Sequence, residues 1–362
     1  MRVLSALAAC FLFVFIILIS CGKDHHDEDN PPQIPPATDT IPGTDSLPTE
    51  DTTGTAIDSL PAGWQVATTP SLTSLVSDVF FTNNTTGYAI TSGDGGVWKS
   101  TDGGLSWAIN SASFAGTPPQ LANLAVTPDD KVFIVDGWLE RSVSGAPFQR
   151  LSFDNKIVNN DVYFTSNDTG YVSGGVVRPT GQYCLWKTTD GGISWQATGV
   201  QPLPYPNPTV GVHEFAFSPG GNGYETYGSK ILYKKAADTT WLASAAVTPA
   251  VTQPFNSVSA PEGDIAFAVT RNGVVYKSVD GGENFAKVGV IGNGLTGYLN
   301  LHFVDENTGY CTVNTALYKT TDGGATWQIA LKWKYALIEV HFTDAEHGWV
   351  CGTNGTILTY TP

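Results

Sequence analysis

The stretch Lys319-Thr320-Thr321-Asp322-Gly323-Gly324-Ala325-Thr326-Trp327 decides the fold. It recurs as KTTDGGISW at Lys187–Trp195 and KSTDGGLSW at Lys99–Trp107, and with Phe as its last residue as KSVDGGENF at Lys277–Phe285. Spacings of 88 and 90 between the first three closing aromatics leave room for a weaker copy in each gap. Both copies are found: Ser142–Phe148, which lacks the Asp, and Tyr233–Trp241. The series Trp107, Phe148, Trp195, Trp241, Phe285, Trp327 then steps by 41, 47, 46, 44 and 42, the period of a four-stranded propeller blade.

Each unit carries an upstream pattern. Asp78-Val79-Phe80-Phe81 before Gly87-Tyr88 returns as Asp161-Val162-Tyr163-Phe164 before Gly170-Tyr171. It returns again as Asn300–Phe303 before Gly309-Tyr310 and as Glu339–Phe342 before Gly348-Trp349, with weaker versions from Asn123, Glu214 and Ser257. The count is seven. Alternating residues around an Asn/Asp/Gly turn predict a β-hairpin, with a third strand before each box and a fourth from its aromatic. The chain ends at Ile357–Tyr360, a third strand without a fourth, whereas Gly63-Trp64-Gln65-Val66-Ala67 looks like a fourth strand with nothing before it. The expected fold is all-β, a seven-bladed propeller over residues 63–362 closed by the strand around Trp64. Closure also removes the open sheet edges that invite aggregation.

Ser/Thr-x-Asp-x-Gly-x-x-Trp resembles the Asp-box, or BNR repeat, of β-propellers. Physically, a carboxylate in such a turn accepts N–H bonds from its own loop, glycines allow positive φ, and the aromatic packs between sheets. The eroded copy with Ser144 in place of Asp keeps Phe148, as packing requires and repeated catalysis does not. Asp102, Asp190, Asp280, Asp322 and their partners Trp107, Trp195, Phe285 and Trp327 are therefore expected to be structural. The whole unit resembles the BNR-like propellers of the photosystem II assembly and stability factor family. That resemblance implies an assembly scaffold, which in photosynthetic members binds a membrane protein through an arginine-rich patch. This chain departs there, since its folded part has only Arg141, Arg150, Arg178 and Arg271, scattered over different blades.

A net charge of −15 argues against nucleic acid as a partner. About half of that excess lies in residues 22–63, with nine acids and one base. Before them, Arg2 and the apolar run Leu7–Ile19 read as an export signal, too short for a comfortable membrane span. Leu18-Ile19-Ser20-Cys21 resembles a bacterial lipobox, which implies a signal peptide over 1–20 and a lipidated Cys21. The acidic run from Gly22 to Asp29 resembles the surface-export signals of Bacteroidetes lipoproteins. The segment 21–62, rich in Pro, Thr and Asp, cannot bury enough apolar surface to offset its ordering entropy and reads as a disordered tether. Within it, Asp followed by Thr40, Ser46, Thr52 or Ser59 resembles the Asp-Ser/Thr-apolar sites of Bacteroidetes O-glycosylation; low-complexity drift is the alternative. Outside the leader, Cys184, Cys311 and Cys351 make an odd count, and buried free thiols are expected rather than a bridge.

A sialidase-like site needs three converging arginines and an activated Tyr, and the Arg-Ile-Pro signature of that family is absent. A glycosidase with paired carboxylates is harder to exclude. Asp78, Asp161, Glu214 and Glu339 start their predicted inner strands near the central channel, either as a reactive pair or as the polar lining of a wet channel. His302 and His341, at equivalent positions in adjacent units, read as packing or channel residues. Loops on the face opposite the boxes carry Trp138, Arg178, Tyr183, Tyr205, Tyr227, Arg271, Tyr298, Trp333 and Tyr335, aromatics and arginines suited to a protein or sugar surface. No cofactor, metal or catalytic residue is assigned. The expectation is a monomeric, lipid-anchored propeller of the cell envelope, in the outer membrane and surface-exposed, binding a protein partner without catalysis. The alternative is a glycan-binding or glycan-hydrolysing accessory protein.

Overall fold

The computed structural model describes residues 60–68, 73–92, 96–111, 122–135, 138–151, 157–176, 183–200, 214–292 and 299–362. They belong to one compact unit, Thr55–Pro362. Cys21, the four proposed glycosylation sites, Arg178, Tyr205 and Tyr298 lie outside the described residues.

Seven antiparallel sheets form the propeller. Their innermost strands are Val76–Phe81, Asn123–Val126, Ile157–Phe164, Phe215–Phe217, Phe255–Glu262, Leu299–Phe303 and Leu337–Asp344, here numbered blades 1 to 7. The ring closes where the ends of the chain suggested. Trp64, Gln65 and Val66 pair with Tyr360, Thr359 and Leu358, so the N-terminal strand is the outer strand of blade 7. Blades 4 and 5 depart from the four-stranded expectation. Gly199–Val200 runs parallel to Thr240–Trp241, and Ala246–Thr248 runs parallel to Asn284–Ala286. In both cases the chain leaving one blade follows the outer strand of the next.

The Phe…Gly-Tyr pattern has a steric cause. Phe81 pairs with Gly87, Phe342 with Gly348, Phe303 with Gly309 and Phe164 with Gly170 across their hairpins. Each Phe ring lies over the glycine's Cα, so a Cβ on Gly87 or Gly348 would come within 2.3 Å of it. The same ring faces the preceding blade. Phe81 stacks on Trp349 at 3.5 Å, Phe303 on Phe267 at 3.6 Å, and Phe342 on Tyr310 and Phe164 on Phe133, both at 4.1 Å. The box aromatic then meets it edge-on, as in Phe81–Trp107 at 5.8 Å and Phe303–Trp327 at 5.9 Å. Such pairs add about 0.5–1.5 kcal/mol beyond area burial. The core is accordingly a series of seven inter-blade clusters rather than one centre. Cys311 and Cys351 are buried free thiols within it.

Candidate functional site

The boxes satisfy themselves. Asp322 accepts from Thr320 Oγ1 at 2.8 Å, from the Thr326 backbone N–H at 2.9 Å and from Thr326 Oγ1 at 2.6 Å. Gly323 and Gly324 take φ of 69° and 86° to make that turn. Trp327 Nε1 donates back to Gly324 O at 3.0 Å. Asp102, Asp190 and Asp280 repeat the arrangement. The hydroxyl and backbone N–H of Thr326 hold Asp322 down to about 2, and those of Ser194 do the same for Asp190. Carboxylates with their acceptor positions taken up inside their own turns are poor candidates for chemistry. The lysine that opens each box has a role that its place in the repeat does not announce. Lys99, Lys187, Lys277 and Lys319 lie over Tyr88, Tyr171, Phe267 and Tyr310 of the adjacent second strand, at 5.0, 5.7, 5.0 and 5.2 Å from the ring centroid.

On the axis is a cavity of about 870 Å3, lined by the inner strands of all seven blades. Among the described residues its lining includes Asp78, Asp161, Glu214 and Glu339 and no lysine or arginine. The strands begin two to four residues before Asp78, Asp161 and Glu339, and one residue after Glu214. A register shift precedes Asp78, Asp161, Ser257 and Glu339, so a β-bulge comes just before each of these four positions, where bulges commonly re-aim a side chain.

The seven positions Asp78, Asn123, Asp161, Glu214, Ser257, Asn300 and Glu339 are equivalent, and most of them tie one blade to the next. Asp78 Oδ2 accepts the Leu124 N–H at 2.6 Å, and Asp161 Oδ2 accepts that of Phe215 at 2.7 Å. Ser257 Oγ accepts the Leu301 N–H at 2.9 Å, and Asn300 Oδ1 that of Val340 at 3.1 Å. Glu214 Oε1 accepts from Ser257 Oγ at 2.8 Å, and Asp161 Oδ1 from Asn123 Nδ2 at 3.0 Å. Two residues further along, in blades 5 and 7, a second tier of bonds also crosses to the next blade. His341 Nε2 lies 3.2 Å from Phe81 O, so that nitrogen is the protonated one, and Ser259 Oγ accepts the Phe303 N–H at 2.8 Å. His302 and His341 lie 5.5 Å apart between ring centroids.

The electrostatics follow from placing four acids in a deep channel whose described lining holds no lysine or arginine. Burial raises Asp78 and Asp161 to about 7, against the hydrogen bonds from Leu124 and Phe215, with Asp161 adding repulsion at Asp78. Burial and mutual repulsion raise Glu214 and Glu339 well above the carboxylate range. Glu225, fully buried on the second strand of blade 4, is raised by burial and by Asp161. The histidines move the other way: burial lowers His341 to about 4, and burial together with His341 lowers His302 to about 3. Among the described residues, no group of three or more His, Cys, Asp or Glu side chains is arranged to hold a metal ion.

The rim residues divide. Trp138 is 43% exposed, and its ring carries the Arg150 guanidinium at 4.5 Å. Lys334 Nζ lies 5.5 Å from the Trp333 ring centroid and 5.0 Å from that of Tyr335, while Trp333 Nε1 donates to Thr356 Oγ1 of blade 7 at 3.1 Å. Arg271 is exposed. Tyr227 does not belong with them. It ends the second strand of blade 4 with 7% exposure and packs with Tyr171, Leu232 and Trp241 in the core. All five residues of that strand are buried, because neighbouring blades cover both of its faces, and the strand reaches Tyr227.

A scan against family models gives no match, and no curated protein matches the chain. Solved structures do resemble it. "YCF48 bound to D1 peptide" is 19% identical with a TM-score of 0.62, covering 85% of this chain and 99% of that one. YCF48 from Cyanidioschyzon merolae is 18% identical with a TM-score of 0.62, over 83% and 99%. An ancestral GH74 enzyme is 18% identical with a TM-score of 0.58, over 82% of this chain and 46% of that one. These likenesses establish the propeller fold.

Proposed function

We propose that the protein is a non-catalytic scaffold that holds a protein partner on the propeller face opposite the boxes. The observation that carries this reading is the bonding of the channel carboxylates. Asp78 and Asp161 each spend one oxygen on a backbone N–H of the next blade, at 2.6 and 2.7 Å, and so act as parts of the frame. What remains available on a rigid rim is aromatic and cationic: Trp138 with Arg150, Trp333 and Tyr335 with Lys334, and Arg271. Aromatic and arginine side chains anchored on a stiff support are the usual centres of protein interfaces. The shape shared with YCF48, one structure of which holds a D1 peptide, supports a peptide-binding use of this frame without naming the partner.

The reading extends to anchorage. Lipidation at Cys21 would fix the chain to a membrane, most simply the outer one, with the following acidic segment as a tether, O-glycosylated at Thr40, Ser46, Thr52 and Ser59, that carries a monomeric propeller to the cell surface. Mass analysis of the protein from its native host tests this: a diacylglycerol-modified Cys21 and glycan mass on the tether are expected, and an unmodified N-terminal peptide contradicts it. Partner capture from envelope extracts tests the scaffold. A protein retained by the wild type and released by Trp333→Ala with Tyr335→Ala is expected; retention unchanged by those substitutions contradicts the assignment of this face.

A second reading has one observation in its favour. Four carboxyl groups with raised pKa values share one channel, and a protonated carboxyl beside an ionised one is the equipment of glycoside hydrolysis. Glycan turnover abolished by Asp161→Asn or Glu214→Gln would establish it in place of the scaffold.

A further inference from the structure

Blade 4 is where the repeat is most eroded, and its departures gather around one cavity. In blade 3, Gly170 pairs with Thr188, the residue whose hydroxyl serves Asp190; in blade 4, Gly223 pairs with Lys234, so a lysine occupies the Ser/Thr position of the box. A hairpin acid has been lost as well. The hairpins at Thr127–Lys131 and Ser218–Asn222 make the same turn bonds, which sets Gly221 in the place of Asp130. Asp130 is the partner of Lys99, the box lysine of the preceding blade, at 2.9 Å. Lys187, the box lysine that faces blade 4, therefore has no acid at the hairpin position where Lys99 has Asp130, and among the described residues it forms no ion pair of that kind.

The outcome is a cavity of about 380 Å3 between blades 3 and 4, on the box face, lined by both Lys187 and Lys234. Lys234 is only 5% exposed, and its ammonium donates to Lys235 O at 3.0 Å. Burial first, and then the charge of Lys187, push that ammonium below its ordinary value, while Asp238 at the cavity edge works against the shift. Tyr171 forms an apolar wall beneath Lys187. The exposed Thr189 and Thr239 stand at the mouth. The Thr198–Val200 segment, which enters the extra parallel strand of blade 4, passes beside it.

We infer that this inter-blade cavity binds an oxyanion of the phosphate or sulfate-ester type, held between the ammonium groups of Lys187 and Lys234 with its carrier against Tyr171. Two lysines brought together in a chain of net charge −15, one of them buried, have a charge that a bound anion would neutralise, and lysine binds phosphate as a point charge. The inference is independent of the scaffold reading, which concerns the opposite face.

The test is calorimetric titration of the propeller at low ionic strength, where charge interactions are least screened. The probes are inorganic phosphate, glucose 6-phosphate and glucose. The variants are Lys187→Gln, Lys234→Met and, as control, Lys319→Gln, the matching box lysine of blade 6. Saturable binding of the two phosphates is expected, weakened about tenfold or more by either of the first two substitutions and within about twofold of wild type in the control. Lys234→Met keeps a long side chain in a buried position, so loss of binding in a folded protein is readable. Glucose 6-phosphate binding tighter than phosphate identifies an ester whose body uses the Tyr171 wall; equal binding identifies the free ion, and both support the site. No saturable binding, equal loss in the control, or glucose binding as well as its phosphate overturns the inference.

Discussion

The Leu124 backbone N–H reaches Asp78 Oδ2 at 2.6 Å across the boundary between blades 1 and 2. The bond sits in the channel, next to a cavity of about 870 Å3, and it is one member of a ring of such ties. Asp78→Ala should leave that N–H without an acceptor, at a cost of about 1–3 kcal/mol. For a domain of this size that lowers Tm by roughly 2–10 °C. Asp78→Asn keeps an acceptor and should lose clearly less. Thermal unfolding of the two variants at neutral pH decides it, and equal losses would contradict the tie.

The channel also dictates how stability varies with pH. Asp78 and Asp161, raised to about 7, hold their protons in the folded state more firmly than in the unfolded chain. Their contribution is complete below the ordinary carboxylate value near 3.8 and is lost as pH climbs through 7. His302 and His341, lowered to about 3 and about 4, act in the opposite sense: their contribution is complete above about 6.5 and is lost as pH falls. Above about pH 6.5 only the carboxylates are left, so Tm should fall by several degrees between about pH 6 and pH 8.5. The decline should shrink in the Asp78→Asn, Asp161→Asn double variant; a Tm that rises over that interval would contradict the assignment.

Gly348 has no room for a methyl group, because its Cβ would lie 2.3 Å from the Phe342 ring. Gly348→Ala should therefore cost about 1–3 kcal/mol through overpacking, although alanine is otherwise the better residue in a strand. Chemical denaturation gives the value directly. The double variant Gly348→Ala, Phe342→Leu should recover part of the loss, and a failure to recover any of it would place the strain elsewhere.

The two conserved-looking ends of a box should differ in weight. Trp107 is 3% exposed and meets Phe81 edge-on, so Trp107→Ala is expected to cost about 3–5 kcal/mol. Asp102 lies in an open turn whose bonds water can replace, and Asp102→Ala should cost much less. Comparing the two denaturation midpoints tests whether the box is chiefly a packing device.

Much of this was legible in the sequence, because propeller blades repeat their physics. Period, hairpin pattern and unmatched ends were enough to number the blades and to pair Trp64 with the strand ending at Tyr360. The seven equivalent ring residues could be aligned by eye, from Asp78 to Glu339, but their inter-blade bonds could not, since each partner lies about 40 or more residues away. Tyr227 shows the limit of reading a rim from loop positions: the second strand of blade 4 extends to it, and neighbouring blades cover both faces of that strand. The lysine pair between blades 3 and 4 is not legible in the repeat, because Lys187 belongs to an intact box and Lys234 to an eroded one, and only folding sets them beside one cavity.

Cross-linking of the native envelope, followed by affinity recovery of the propeller and mass spectrometry, tests the scaffold most directly. The prediction is one protein partner recovered in stable complex with wild type and with Asp161→Asn, lost with Trp333→Ala and Tyr335→Ala, and no glycan turnover in the same preparation. Recovery of no specific protein, together with glycan hydrolysis that disappears in Asp161→Asn, would contradict it and give the channel to catalysis.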